Sequence, residues 1–489
     1  MDPCDLPAAA ARRLIGRKAL SPVELLESCL ARIAAVNPAV NAVVALDAPR
    51  ARAAALEAER AVARGEALGP LHGLPVAIKD LDETAGLRTT FGSLLFRDHV
   101  PRADGGVAAR VRAAGGIVLA KTNTPEFGLG ANTRNAVHGA TGNPFDPALS
   151  CAGSSGGSAV ALATGMAPLC TGSDMAGSLR TPAAFCGVVG FRPSAGTVPA
   201  ETRVLGWSPL GVLGPMARTV EDAALLLCTM AGADGRDPLS RPAPAPLRPL
   251  APVDLSSLRV AVSEDLGTAP VEAGVRAAFR ARIAASRGWF AAVEEAHPDC
   301  AGTHESFATL RAMQVVAAHA DRVRAHPERC GPALRENVAE GLRLSLEDGA
   351  RAHAAQTRLH RAFQAFFAEH DLLITPAAAI SPRPWRELYP TRIDGEPTAS
   401  YFHWLAIAYA VTLVGHPAVC LPVGRDARGL PFGLQIVGRR GEDAALLAAA
   451  AALEAAFAAE PDLRRPEPDL AALTRARPIA EAEGFLGWS

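Results

Sequence analysis

The composition of this 489-residue chain is typical of a globular protein, with 49% hydrophobic and 20% charged residues. Its formal net charge of -1, without runs of like charge, argues against a nucleic-acid groove or an anionic-membrane surface. The 9 cysteines are odd in number, widely spaced and without a Cys-x-x-Cys motif, which argues against a disulfide framework or a zinc ribbon. We therefore expect reduced cysteines and a cytoplasmic location.

Residues 1–65 are predicted to be a mainly helical N-terminal segment. The first 20 residues lack the basic flank and apolar core of a signal peptide. Ser21 suits a helix N-cap, Pro22 suits the first turn, and Glu24 stands at the third position of a capping box. Apolar residues then recur every four positions, which predicts a helix with one buried face.

Short apolar runs alternate with helical stretches along the rest of the chain. The predicted strands are 74–79, 117–120, 259–262, 372–374, 418–423 and 432–437. The predicted helices are 107–114, 157–163, 220–230 and 442–459, and residues 303–368 are predicted to be mainly helical. This alternation predicts an α/β fold with helices on both faces of a sheet.

Two further segments affect the organisation of the chain. Residues 402–424 are apolar enough to suggest a membrane span, but His403, His416 and Pro417 interrupt them. We predict a buried helix, a turn at 415–417 and a buried strand, and no membrane partner. Residues 236–252 are rich in proline and are predicted to form a linker across the surface.

Two Gly/Ser clusters carry the chemical signal, AGSSGGS at 152–158 and SDMAGS at 173–178. A glycine-rich loop before a helix offers unpaired N–H groups to an anion or an oxyanion. A phosphate loop would need a lysine after the glycines, and none follows. The first cluster also matches Gly-x-Ser-x-Gly, the nucleophile elbow of Ser-His-Asp hydrolases, with Ser155 as nucleophile. An elbow follows a strand, whereas residues 143–147 predict a turn, so this alternative is the weaker one.

The pattern of segments around these clusters resembles the amidase signature family. The matching segments are LGPLHGLPVAIKDL (68–81), AKTNTPEFGLGANTRNAVHGATGNPFDP (120–147), the two clusters, LGVLGPMART (210–219) and PFGLQIVGRRGEDAALL (431–447). The resemblance implies a mixed, twisted sheet within one amidase domain. Its expected parts are a helical segment (1–65), a signature core (66–235), a linker with a helical substrate-pocket region (236–405) and C-terminal strands and helix completing the core (406–489).

The resemblance implies a serine amidohydrolase whose nucleophile is Ser178, with Ser154 as proton relay and Lys79 as base. A lysine serves as base only when neutral, and burial at the end of the apolar run LPVAI favours that form. The resemblance also implies a cis peptide bond before Ser154. It further implies an oxyanion hole formed by the backbone N–H groups of Met175, Ala176, Gly177 and Ser178.

Other residues are expected to support these groups or bind the substrate. Asp174, Arg180, Ser155 and Ser173 are expected to brace the loop by hydrogen bonds. The expected substrate-binding residues are Phe127, Asn132, Tyr401, His403 and Trp404. Ala176 departs from the two glycines that usually precede the nucleophile, and it would be strained only if its φ were positive.

The expected substrate is an amide or a carbamate. Aryl amides and anilides, small aliphatic amides, cyclic or linear oligoamides and carbamates are all open. We expect no metal, no cofactor and no nucleic-acid partner, and we leave a homodimer open. His304-Glu305 lacks the second histidine of a zinc helix. A second candidate is the glutaminase subunit of a tRNA-dependent amidotransferase. Such subunits usually carry Ser-Asp-Thr-Gly-Gly-Ser-Ile-Arg-Gln-Pro, where this chain has SDMAGSLRTP.

Overall fold

A computed structural model describes residues 2–243 and 247–488. Its α-helices are α1 (Ala8–Gly16), α2 (Pro22–Val40), α3 (Ala48–Arg64), α4 (Gly106–Ala113), α5 (Gly156–Ala163), α6 (Arg180–Cys186), α7 (Val220–Met230), α8 (Ala273–Ser286), α9 (Thr303–Ala325), α10 (Pro332–Gly341), α11 (Leu346–Glu369), α12 (Ala406–Val414), α13 (Asp443–Ala459) and α14 (Leu470–Arg475).

The strands are β1 (Val43–Leu46), β2 (Pro75–Lys79), β3 (Ile117–Thr122), β4 (Arg134–Asn135), β5 (Gly139–Ala140), β6 (Leu169–Asp174), β7 (Val189–Arg192), β8 (Val212–Ala217), β9 (Arg259–Val262), β10 (Ala292–Glu295), β11 (Leu372–Pro376), β12 (Arg392–Ile393), β13 (Glu396–Pro397), β14 (Ala418–Arg425) and β15 (Pro431–Val437). Eleven of them form one sheet in the order β1-β3-β2-β6-β8-β7-β14-β15-β11-β9-β10. It is mixed, because β2 runs parallel to β3 and β6 whereas β8 runs antiparallel to β6. The prediction of a mixed α/β sheet flanked by helices is confirmed.

Local sequence signals account for several helix ends. Ser21 accepts a hydrogen bond from the Val23 N–H, and Glu24 completes the predicted capping box at the start of α2. Gly65 ends α3 with a left-handed φ of 73°, which glycine adopts without a Cβ clash. Strand β1 was not predicted, and it interrupts the segment that was predicted to be helical. It is only 4 residues long and lies between two helices, so its sequence carries little strand signal. The sequence also missed β6, β7, β8 and β10, whose residues show no clear two-residue alternation.

The apolar stretch 402–424 divides as predicted. Helix α12 ends at Val414, Gly415 takes a left-handed φ of 68°, and the buried strand β14 begins at Ala418. Throughout the described ranges, no helix has both the length and the apolarity that crossing a membrane demands. Of the predicted linker, residues 244–246 lie outside the described residues. The division of the chain into four parts stays a prediction.

Two parallel strands position the predicted catalytic side chains. Val76 of β2 is in register with Leu169 of β6, so both strands end at the same edge of the sheet. Lys79 is the last residue of β2 and Asp174 is the last residue of β6. Helix α5, which follows the first Gly/Ser cluster, packs against both strands. The sheet therefore brings the lysine and the two clusters together although up to 99 residues separate them in sequence.

Candidate active site

Lys79 is completely buried at the end of β2. Its Nζ lies 2.7 Å from Ser154 Oγ, 2.9 Å from Ser155 Oγ and 2.9 Å from Ser173 Oγ. Burial lowers the pKa of Lys79 to about 7, although the carboxylates of Asp82 and Asp174 act in the opposite direction. A buried amine bonded to three hydroxyl groups and to no carboxylate can therefore be neutral near pH 7.

The first Gly/Ser cluster leads into the N-terminus of α5. The Gly153–Ser154 peptide bond is cis, as the resemblance implied. The Ser155 N–H donates to the Ser178 carbonyl at 3.3 Å, which joins the first cluster to the second. Ser155 Oγ faces Lys79 and the Ser173 backbone rather than a histidine. Ser155 also follows a loop rather than a strand of the large sheet, so the geometry does not favour the elbow alternative.

Ser178 lies at the end of the loop after β6 and lines a cavity of about 260 Å³. Met175, Ala176 and Ser154 line the same cavity. Among the described residues, neither Ser154 nor Lys79 forms a hydrogen bond with Ser178 Oγ, so the proposed contact between the two serines is not made here. The structure thus supports the Lys79–Ser154 contact of the predicted relay and leaves the Ser154–Ser178 contact a prediction.

The loop before Ser178 contributes Met175 and Ala176 to the cavity wall. The Gly177 N–H donates to Asp174 Oδ1 at 3.0 Å and is therefore already engaged. Within the described chain, the N–H groups of Met175, Ala176 and Ser178 have no such acceptor, and the predicted oxyanion hole stays a prediction. Ala176 is not among the positive-φ residues, whereas Gly177 has a φ of 101°. Alanine at position 176 thus carries no left-handed strain.

Asp174 and Arg180 form a fully buried brace beneath this loop. Asp174 accepts from the Leu179 N–H at 3.1 Å, from Arg180 Nη2 at 2.8 Å and from Arg192 Nη1 at 3.2 Å. Burial alone would raise the pKa of Asp174, but the two guanidinium groups hold it well below its ordinary value. Arg180 also donates to the Ala408 carbonyl at 2.9 Å, which ties the loop to α12.

Two of the five predicted substrate-binding residues, Phe127 and Tyr401, line the cavity. The centre of the Phe127 ring lies 4.5 Å from that of the His319 ring in a tilted arrangement, and the Tyr401 hydroxyl accepts a hydrogen bond from Arg311. Their positions are consistent with contact to a bound substrate. Such contact stays a prediction.

The structure places the other three, Asn132, His403 and Trp404, outside the residues that line this cavity. The Asn132 amide donates to the Trp385 carbonyl at 2.7 Å, and its oxygen accepts from Ser150 Oγ at 2.9 Å. His403 packs against the His304 ring at 4.6 Å, and Trp404 is 4% exposed within the main core. These three side chains take part in loop and core packing, and their contact with a substrate stays a prediction.

Sequence reasoning missed several polar residues at the site. Asp82, Arg203, Arg311 and Gln314 line the cavity. Arg192 braces Asp174 from β7. Arg192 had a usable signal, because a charged residue inside the apolar run VVGFRP predicts a buried partner. The other four lie in a turn, a loop and a helix without any distinctive local pattern.

One group of side chains in the described ranges, Asp2, Cys4 and Asp5, brings three ligand atoms within 4.8 Å of one another. Both carboxylates pair with Arg32, at 3.0 Å and 2.9 Å. None of the three lines the cavity at Ser178.

Comparisons with known proteins agree with this geometry. The profile of the Amidase family matches residues 24–447. An acylamidase of Rhodococcus erythropolis is 37% identical over 443 residues, with 89% of this chain and 92% of the relative covered. A glutamyl-tRNA(Gln) amidotransferase subunit of Anaeromyxobacter dehalogenans (strain 2CP-C) is 35% identical over 488 residues, with 92% and 96% covered.

Solved structures show the same fold. The crystal structure of a bacterial aryl acylamidase of the amidase signature enzymes superimposes with a TM-score of 0.87 at 27% identity. The match covers 97% of this chain and 99% of the other. This chain therefore belongs to the amidase signature family and is an amide-hydrolysing enzyme.

Proposed function

We propose that the enzyme cleaves the C–N bond of small amides through an acyl-enzyme on Ser178, with Ser154 as relay and Lys79 as base. The observation that supports this most is the 2.7 Å contact between Lys79 Nζ and Ser154 Oγ in a fully buried setting. A serine hydroxyl is a weak nucleophile and needs a base whose pKa lies near the working pH. Lys79, with a pKa lowered to about 7, meets that requirement.

In the first step, Ser178 Oγ attacks the carbonyl carbon. Its proton passes to Ser154 while the Ser154 proton passes to the Lys79 amine. The tetrahedral oxyanion accepts hydrogen bonds from the N–H groups of Met175, Ala176 and Ser178. The C–N bond then breaks, and the proton returns through Ser154 to the leaving nitrogen, which is a poor leaving group without it. Water repeats the sequence on the acyl-enzyme and releases a carboxylic acid.

The substrates that we favour are aryl amides and anilides, with carbamates as a further class. The similarity to an acylamidase and to an aryl acylamidase supports this choice. So does the apolar part of the cavity wall, which includes Phe127, Leu129, Leu213, Phe402 and Leu405. We also propose a cytoplasmic location, because the 9 cysteines form no disulfide among the described residues and 8 of them are buried. A homodimer stays a prediction.

A second function, ammonia release from glutamine for a tRNA-dependent amidotransferase, is favoured by the 35% identity to a glutamyl-tRNA(Gln) amidotransferase subunit. The two functions differ in what the purified chain does by itself. We expect the isolated protein to hydrolyse anilides such as 4-nitroacetanilide, with loss of this activity in Ser178→Ala. Glutaminase activity that appears only with added partner subunits, without anilide turnover, would overturn the first function in favour of the second.

A further inference from the structure

Arg311 is a buried cation with neutral partners. Only 6% of it is exposed, midway along α9, and it lines the cavity that contains Ser178. Its Nη1 donates to Asn337 Oδ1 at 2.6 Å, and its Nη2 donates to the Tyr401 hydroxyl. Its guanidinium carbon lies 4.9 Å from the centre of the Phe402 ring. No carboxylate of the described residues pairs with it, and a buried cation without an anion is costly.

Arg203 presents a second guanidinium to the same cavity. Its Nη1 donates to the Ser208 carbonyl at 2.7 Å, whereas its buried Nη2 has no hydrogen-bond partner in the part of the chain that the structure describes. The Asp237 carboxylate interacts electrostatically with the Arg203 guanidinium without a hydrogen bond between them. The Asp237 oxygens instead accept hydrogen bonds from the N–H groups of Ala200 at 2.8 Å and Leu239 at 3.0 Å. The described residues thus leave part of the hydrogen-bonding capacity of this guanidinium unused.

Gln314 connects the two arginines. It lies three residues after Arg311 on α9, which places both side chains on the same face of the helix. Its Nε2 donates to Ser208 Oγ at 2.9 Å, and Ser208 is also the residue whose carbonyl binds Arg203. Arg203, Gln314 and Arg311 therefore border one region of the cavity.

The acidic side chains at the cavity do not balance these charges. Asp174 is neutralised by Arg180 and Arg192. The Asp82 carboxylate interacts electrostatically with two buried lysines, Lys79 and Lys121. Burial raises the pKa of Asp82 to about 6. Lys121 also donates to the Asp82 backbone carbonyl. The cavity thus keeps an excess of positive charge on the side of the two arginines.

We propose that Arg311 and Arg203, assisted by Gln314, bind a carboxylate carried by the substrate, so that the enzyme selects anionic amides over neutral ones of the same shape. This inference rests on the proposed function, because it assumes that the scissile carbonyl lies at Ser178. A carboxylate matches the planar donor array of a guanidinium and accepts charge-assisted hydrogen bonds.

Paired 4-nitroanilides test the selectivity. Glutaryl 4-nitroanilide carries a carboxylate where 5-methylhexanoyl 4-nitroanilide carries an isopropyl group of similar shape. N-acetyl-4-aminobenzoate and N-acetyl-4-isopropylaniline form the corresponding pair on the amine side. We expect kcat/KM to favour the anionic member by about tenfold or more in at least one pair, the size of a charged hydrogen bond. A ratio near one or below in both pairs overturns the proposal.

Variants identify the residues responsible. Arg311→Gln and Arg203→Gln should each bring the ratio of anionic to neutral kcat/KM close to one, whereas Arg324→Gln should leave it unchanged. Arg324 is exposed on the same helix and is the matched control. Arg311→Gln could lower Tm markedly because Arg311 is buried. In that case the kcat/KM ratio of Arg203→Gln is the test, because Arg203 is partly exposed. An unchanged ratio in both cavity variants contradicts the proposal.

Binding without turnover separates this inference from the proposed mechanism. Calorimetry of glutaryl 4-nitroanilide on Ser178→Ala should show binding that weakens about tenfold when Arg203→Gln is added. If Ser178→Ala still turns substrate over, the assignment of Ser178 as nucleophile is wrong. The difference in affinity between Ser178→Ala with and without Arg203→Gln still tests the carboxylate site. Equal affinities with and without Arg203 overturn the carboxylate site and leave the mechanism untouched.

Discussion

Lys79 Nζ lies 2.7 Å from Ser154 Oγ, and both groups are shielded from water. A neutral primary amine has two N–H donors and one lone pair, and Lys79 has three hydroxyl neighbours, Ser154, Ser155 and Ser173. The lone pair can therefore accept from Ser154 while the two N–H groups donate to the other serines. The three hydroxyl neighbours therefore accommodate the neutral lysine that the proposed mechanism needs, and an ammonium could equally donate to all three.

The pH dependence of kcat/KM should report this lysine. Because the neutral amine is the active form, activity should rise with pH with a midpoint near 7, where burial places the pKa of Lys79. A pH profile on an uncharged anilide measures it. An activity that falls with rising pH between 6 and 8, or a midpoint near the ordinary lysine value of about 10.4, would contradict a neutral buried base.

Lys79→Ala should impair amides more than activated esters. General acid–base catalysis contributes about 10²–10⁴-fold, and an anilide needs a proton on its leaving nitrogen. A 4-nitrophenyl ester releases a stable phenolate and needs none. We expect kcat on 4-nitroacetanilide to fall by about that factor and kcat on the ester to fall distinctly less. Equal losses on the two substrates would refute a role of Lys79 in protonating the leaving group.

Covalent labelling should distinguish the two candidate nucleophiles. A fluorophosphonate or sulfonyl fluoride should modify Ser178, as read by peptide mass spectrometry, and Ser178→Ala should abolish the label. Ser155→Ala is the matched control, since Ser155 contacts Lys79 but lies in the other Gly/Ser cluster. Recovery of the label on Ser155 would favour the nucleophile-elbow alternative and contradict the assignment of Ser178 as nucleophile.

Ala176→Gly and Gly177→Ala should differ in how strongly they affect stability and turnover. Ala176→Gly should keep kcat/KM within a few-fold and cost about 0.4–1 kcal/mol of stability through unfolded-state entropy. Gly177→Ala should be far more damaging, because its φ is 101° and a Cβ would lie 2.7 Å from Thr181 Oγ1 and from the Ala408 Cβ. We expect a loss of about 1–3 kcal/mol from the backbone strain, measured by urea unfolding, together with reduced turnover. A fully stable and active Gly177→Ala would contradict this loop geometry.

Asp174→Asn should destabilise the protein by about 3–5 kcal/mol at pH 7, since it leaves two buried guanidinium groups without a counter-ion. The pKa of Asp174 is held below its ordinary value, so its carboxylate stabilises the fold above about pH 4 and loses that contribution as the pH falls. The difference in unfolding free energy between wild type and Asp174→Asn should therefore shrink on acidification. A difference that stays constant from pH 7 down to about pH 2 is the outcome against this ion pair.

The sequence by itself determined the elements and segments whose signals are local. Residues close together in sequence are enough to identify the capping box at Ser21, the strand that ends at Lys79 and the two Gly/Ser clusters. The break of the apolar stretch at Gly415 is equally local, because a left-handed φ there ends a helix and lets a strand begin. Local signals of this kind predicted the fold class, whereas the three side chains of the proposed relay followed from the resemblance of several segments to the amidase signature family.

Tertiary structure alone decided which polar side chains meet across the chain. Arg311 contacts Tyr401, 90 residues away in sequence, and within the described residues Arg203 Nη2 is buried without a hydrogen-bond partner. Packing likewise turned Asn132 towards the Trp385 carbonyl and away from the pocket, 253 residues apart in sequence. The partner of a buried polar group is set by whatever the fold brings within hydrogen-bonding distance, and no local periodicity encodes that distance.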